Sequence, residues 1–137
     1  MKPSKLLLWS ILVVVVLAAL PTFAQSHEKE YNIPFSFNVG KEVRPAGHYA
    51  VSSVFESSLR IRRLDGTGAI VISSMAVESA DRTSPCKLVF HRYGEKYFLA
   101  QAWLGYSSTG RELFRSGEEQ EMASNNKAQD PIVVAEK

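Results

Sequence analysis

Apolar and polar residues alternate through much of this chain, and the pattern is clearest from Tyr31 onward. In Tyr31-Asn32-Ile33-Pro34-Phe35-Ser36-Phe37-Asn38-Val39, the residues Ile33, Phe35, Phe37 and Val39 fall on one face. A period of two predicts a strand with one buried side. Pro34 falls on the other face and has no backbone donor, which suits an edge strand. Gly40-Lys41 predicts a turn, a short extended piece surrounds Val43, and Pro45-Ala46-Gly47 turns again. Over His48 to Phe55, Tyr49, Val51, Ser53 and Phe55 share a face. Leu59 and Ile61 then point inward between outward Arg60 and Arg62. Asp65-Gly66 is a hairpin signal, returning the chain through Ala69 to Val77, whose Ile70-Val71-Ile72 start predicts burial on both faces.

A polar loop from Glu78 to Pro85 leads to the strongest pairing signal, Lys87–Tyr93 against Tyr97–Leu104 across Gly94-Glu95. A two-residue turn sets His91 opposite Phe98, whereas a three-residue turn sets it opposite Leu99. The sequence leaves both registers open, because a slip of one residue exchanges the faces. Either way both faces are apolar, so the outer one needs a cover. The Ser116-Gly117-Glu118-Glu119 segment has the S-x-x-E form of a capping box and predicts a short helix near 117–124. Ile132-Val133-Val134 is left as a last strand or a loose tail. The expected fold is mainly β: an antiparallel sandwich or small barrel of about six to eight strands with one short C-terminal helix.

The first two dozen residues follow a different rule. Lys2 and Lys5 precede an apolar stretch from Leu6 to Leu20, then Pro21 and Thr22-Phe23-Ala24, the pattern of a signal peptide cut before Gln25. An apolar helix of about 15 residues spans roughly 22 Å, short of a bilayer's roughly 30 Å hydrocarbon core. The expectation is an exported protein, periplasmic or extracellular, with no stable membrane insertion after cleavage. Residues 1–24 are assigned to the signal, 25–30 to a polar lead, and 31–135 to one β-rich domain of a size that buries a single core.

Charge changes meaning once the signal is set aside. Lys2 and Lys5 account for the whole excess of 16 basic over 14 acidic residues, so the exported part is near neutral. Nothing in that balance calls for nucleic acid. Cys86 is the only cysteine, which excludes an intrachain disulfide and a CxxC pair. A buried thiol is expected there, with a bridge between two chains as the alternative.

Sites of known chemistry are mostly lacking. Gly105-Tyr106-Ser107-Ser108-Thr109-Gly110 misses the G-x-S-x-G nucleophile elbow by one position and reads as a loop. His27, His48 and His91 have no second histidine at metal-ligand spacing, and no phosphate loop is present. No catalytic residue, metal or cofactor is therefore expected. A role for His91 would need a carboxylate partner that the sequence does not place. Glu112, Glu118, Glu119 and Glu121 read as capping and solvated charge. Arg60, Arg62 and Arg63 read as edge protection, and the aromatics first of all as core.

Two blocks carry a resemblance: Ile33-Pro34-Phe35-x-Phe37-x-Val39-Gly40 with Pro45-Ala46-Gly47-x-Tyr49-x-Val51, and Lys87-Leu88-Val89-Phe90-His91-Arg92-Tyr93-Gly94 with Tyr97-Phe98-Leu99 and Thr109-Gly110-Arg111-Glu112-Leu113. Together they resemble a group of small, exported, uncharacterised bacterial β-rich proteins. Arg44 stands where that group commonly has leucine, and His48 where it has a small polar residue. The resemblance implies an exported β domain and brings no activity with it. The functional expectation is a non-enzymatic binding or structural role in the cell envelope, toward an unknown protein or envelope component. Its binding surface is placed on His91, Arg92, Tyr93, Tyr97 and Trp103. A small-ligand carrier with an apolar barrel interior is the alternative, and a small hydrolase a more distant one.

Overall fold

The first alternating run does not form one strand. In the computed structural model, which describes residues 28–66, 68–80, 85–105, 108–125 and 128–137, it breaks at Pro34-Phe35-Ser36 into β1 (Lys29–Ile33) and β2 (Phe37–Val39). β1 pairs antiparallel with β4 (Gly47–Ser53), while β2 pairs with β3 (Glu42–Arg44) and runs parallel to β8 (Lys96–Trp103). Proline supplies no ladder donor, so the chain changes partners there and not merely edges. Ile33, Phe37 and Val39 still enter one core, with Phe35 packed against it. The expected signal segment, its cut and the first half of the polar lead, residues 25–27, lie outside the described residues. The last two lead residues, Lys29 and Glu30, already belong to β1.

The remaining elements are β5 (Ser58–Arg63), β6 (Ala69–Glu78), β7 (Lys87–Tyr93), β9 (Thr109–Leu113), α1 (Gly117–Asn125) and β10 (Gln129–Ala135). That makes ten strands and one helix among the described residues, in a mainly β, sandwich-like arrangement with its helix near the C-terminus. The count exceeds the expected six to eight because the first run is split, β3 forms its own ladder and the tail becomes β10.

β6 joins the two halves of the fold. Ala69–Ser73 pairs with β5, whereas Ser74–Glu78 pairs with β9. From β9 the path continues through β8 to β7 and β10. The two ends then meet: the Lys137 N–H donates to Glu30 O at 2.9 Å, and Lys29 pairs with Glu136 at 3.4 Å.

The interior is filled by side chains. Tyr31, Tyr49, Val51, Leu59, Ile61, Leu88, Phe90, Leu99 and Ala102 pack with Ile33, Phe37 and Val39. Phe37 meets Tyr49 and Phe90 edge to face, and Phe35 stacks on Tyr97 with centroids 4.1 Å apart. Such contacts add to the burial of large rings. Arg60 and Arg62 point outward as expected, Arg62 pairing with Glu28 at 2.8 Å.

Two burial expectations are corrected. β6 is not covered on both faces: Ile70 and Ile72 reach the core, but Val71 is 60 % exposed and Met75 42 %. Its branched residues serve a pleated backbone with one wet face. Phe55 leaves the preceding strand altogether, turning at φ 62° with its ring in solvent.

Candidate functional site

The hairpin register is set by its turn. Gly94 adopts φ 64°, and Tyr93 faces Lys96, so the turn has two residues and His91 lies opposite Phe98. Farther along, Phe90 faces Leu99 while Val89 faces Gln101. Ala100 is thus an extra residue, a bulge that restores the apolar residues beyond it to the core face.

Directly paired residues share a face, which sorts the five expected binding residues. His91 and Tyr93 project from the outer face together with Phe98 and Lys96. Arg92 and Tyr97 oppose each other on the inner face, where the guanidinium lies 5.6 Å from the ring centroid and Arg92 Nε donates to Gly94 O. Trp103 returns to the outer face but pairs with Lys87, four residues along the strand from His91 or about 13 Å. It is buried, its indole N–H donating to Gln101 Oε1 at 3.2 Å and its ring seated over Gly110. The five therefore do not form one surface. Gly110, expected in a loop, is a strand residue of β9.

The carboxylate that sequence could not assign to His91 is Glu119. Its Oε1 lies 2.7 Å from His91 Nδ1 and accepts the Tyr93 hydroxyl at 3.3 Å, with Arg115 Nε at 3.9 Å. With the carboxylate ionised, the proton of the pair resides on Nδ1 and donates. Glu119, expected from the sequence as capping and solvated charge, is only 4 % exposed. Half of the capping box is present, since the Glu119 N–H donates to Ser116 Oγ at 3.2 Å. The side chain goes to the sheet instead of back along the helix. Burial pushes the Tyr93 phenol up, reinforced by the negative charge of Glu119 and opposed by Arg115. A neighbouring Lys96–Glu118 pair ties the same helix to β8.

A row of outward residues crosses four strands at this level: His91, Phe98, Asn38 and Val43 are successive partners on β7, β8, β2 and β3. α1 is bonded to the sheet at the His91 end of this row. At the Val43 end the row opens into a surface groove of about 160 Å³, lined by Phe37, Asn38, Val43, Lys96, Tyr97 and Glu118 among others. Val43 stands 71 % exposed on its wall, while Asn38 is buried. The groove is mostly apolar, and Lys96 and Glu118 at its edge are paired with each other. Sequence missed Asn38 and Val43 because the short β2–β3 hairpin gave no sign of docking beside β8.

A second depression, about 330 Å³, is bordered by Gly47, His48, Arg63, Leu64 and Asp65. Arg63 and Asp65 are paired there at 2.7 Å, so its charge is internally balanced. Among the described residues no group of three metal-ligating side chains converges, and no helix is long and apolar enough to cross a membrane. Comparison with protein-family models, curated proteins and solved structures finds no match to this chain.

Proposed function

We propose that this is an exported β domain that acts by binding rather than catalysis, meeting a protein or another component of the cell envelope through the groove beside β2, β3 and β8. The sequence features behind this reading are the signal-like first 24 residues and the resemblance to small exported bacterial proteins. The observation that carries the placement is the exposed Val43 beside a mostly apolar groove that Phe37, Tyr97, Lys96 and Glu118 also line. An interior occupied by aromatic and branched side chains supports contact at the surface over carriage inside. Burying apolar groove area against a partner supplies affinity.

Photo-crosslinking tests the placement. A photoreactive residue at position 43, in cells that export the chain, is expected to give a discrete adduct that weakens with Tyr97→Ala. The same residue at the exposed position 55 serves as control. Equal labelling from both positions, or no adduct from 43, would discard the groove as the binding surface.

A further inference from the structure

α1 is held in an unusual way. Its nine residues, Gly117-Glu118-Glu119-Gln120-Glu121-Met122-Ala123-Ser124-Asn125, carry no apolar stripe, and the only fully buried one is charged Glu119. A helix this short is unstable alone in water, and one without an apolar face gains little from packing. The attachment instead rests on side-chain bonds: Glu119 to His91 and Tyr93, and Glu118 to Lys96. Beneath that attachment, Tyr93 and Phe98 are buried against each other, ring centroids 5.8 Å apart, outside the main core cluster. Phe98 continues the row that ends in the Val43 groove.

We propose that α1 is an acid-released lid over the inner end of this row. The ionised Glu119 carboxylate accepts two hydrogen bonds at one oxygen in a dry setting, where charge-assisted bonds are strongest. Protonation removes the charge and weakens acceptance from both donors. The other charged groups facing this pair are Arg115 on the linker, Lys96 on β8 and Glu118 on α1. Lys96 and Glu118 are about half exposed, so their pair is too well solvated to hold the helix by itself. Once α1 lifts, Glu118 leaves the groove's edge and the outward row from Val43 through Asn38 and Phe98 to His91 is uncovered. That extension of the site rests on the groove reading, but the lid itself does not.

Amide hydrogen exchange on the folded chain separates the two. At neutral pH, Glu119→Gln is expected to speed exchange in α1 by roughly tenfold or more, as loss of a charge-assisted bond implies, with the β7 and β8 amides unchanged. In the unmutated chain, acidification to about pH 3, where carboxylates protonate, is expected to produce the same local change after correction for intrinsic exchange. Glu119→Gln should show no further acid effect, and Glu118→Gln should retain it. Unchanged α1 protection in Glu119→Gln, an acid effect of equal size in that variant, or opening only together with β7 and β8 would overturn the lid. Loss of the position-43 adduct with intact lid behaviour would overturn the groove alone.

Discussion

Trp103 dictates glycine at position 110. A Cβ built there would lie 2.6 Å from ring atom Cδ2 and 2.7 Å from Cε3, closer than non-bonded carbons approach. The ring is buried and its N–H is bonded to Gln101, so it has little freedom to yield. Gly110→Ala is therefore expected to destabilise the chain by about 1–3 kcal/mol, the usual cost of overpacking, read as a lower urea midpoint at unchanged slope. An unaltered midpoint would show that the indole swings aside. The same packing explains why Trp103, attractive as a binding aromatic in the sequence, sits in the fold as a structural one. Glu119 makes the converse case. The Ser116-x-x-Glu119 spacing assigns its carboxylate to the helix terminus, and nothing local reveals that an imidazole 28 residues earlier offers a better partner.

β6 shows what an element's composition leaves undecided. Ile70-Val71-Ile72 favours extended backbone whether one face or two are covered, and only the neighbouring layers determine which. Because Ile72 packs against the core while Val71 faces solvent, the two should respond differently to substitution. Val71→Lys is expected to shift stability by no more than about 0.5 kcal/mol, and Ile72→Ala to cost about 1–3 kcal/mol for a partly buried side chain. Similar losses at both positions, measured by urea unfolding, would restore the doubly covered strand. Elements whose signal is local were legible: the β7–β8 hairpin through Gly94, β5 through its Leu-Arg-Ile-Arg alternation, α1 through its capping serine. The break at Pro34 was not, because Phe35, Phe37 and Val39 keep the period of two across it. Nor was the seat of β2 and β3 beside β8, a contact between segments some 60 residues apart. That contact builds the groove, which is why the candidate site was only half visible in the sequence.

The molecule as a whole closes where β1 meets the end of β10, and groups buried near that seam and elsewhere in the sheet make its stability sensitive to alkali. Burial pushes the Tyr31 phenol well above the usual range, helped by the negative charge of Glu136. Burial also raises the Cys86 thiol, reinforced by its hydrogen bond with Glu136 and by that residue's charge, against the pull of Lys29. Tyr49 is raised by burial too, in part offset by Arg63 and Arg44, and Tyr93 joins it beside Glu119. Each of these acids keeps its proton in the folded chain at a pH where the unfolded chain has released it. Below the unfolded pKa, the protonated forms dominate in both states and stability is unaffected. Above it, the unfolded state binds fewer protons, and stability falls by up to about 1.4 kcal/mol per pH unit for each group. The decline is expected to start near the unfolded thiol value, about 8.5, and to steepen above the phenol value, about 10. Tyr31 also donates to Trp103 O at 3.4 Å, so Tyr31→Phe should lower the midpoint slightly at neutral pH while reducing the slope above about pH 10. Urea midpoints across this range, paired with tyrosinate absorbance, test the argument. Tyr31, Tyr49 and Tyr93 should ionise together with unfolding and not before it, and a midpoint that stays flat to about pH 11 would contradict their burial.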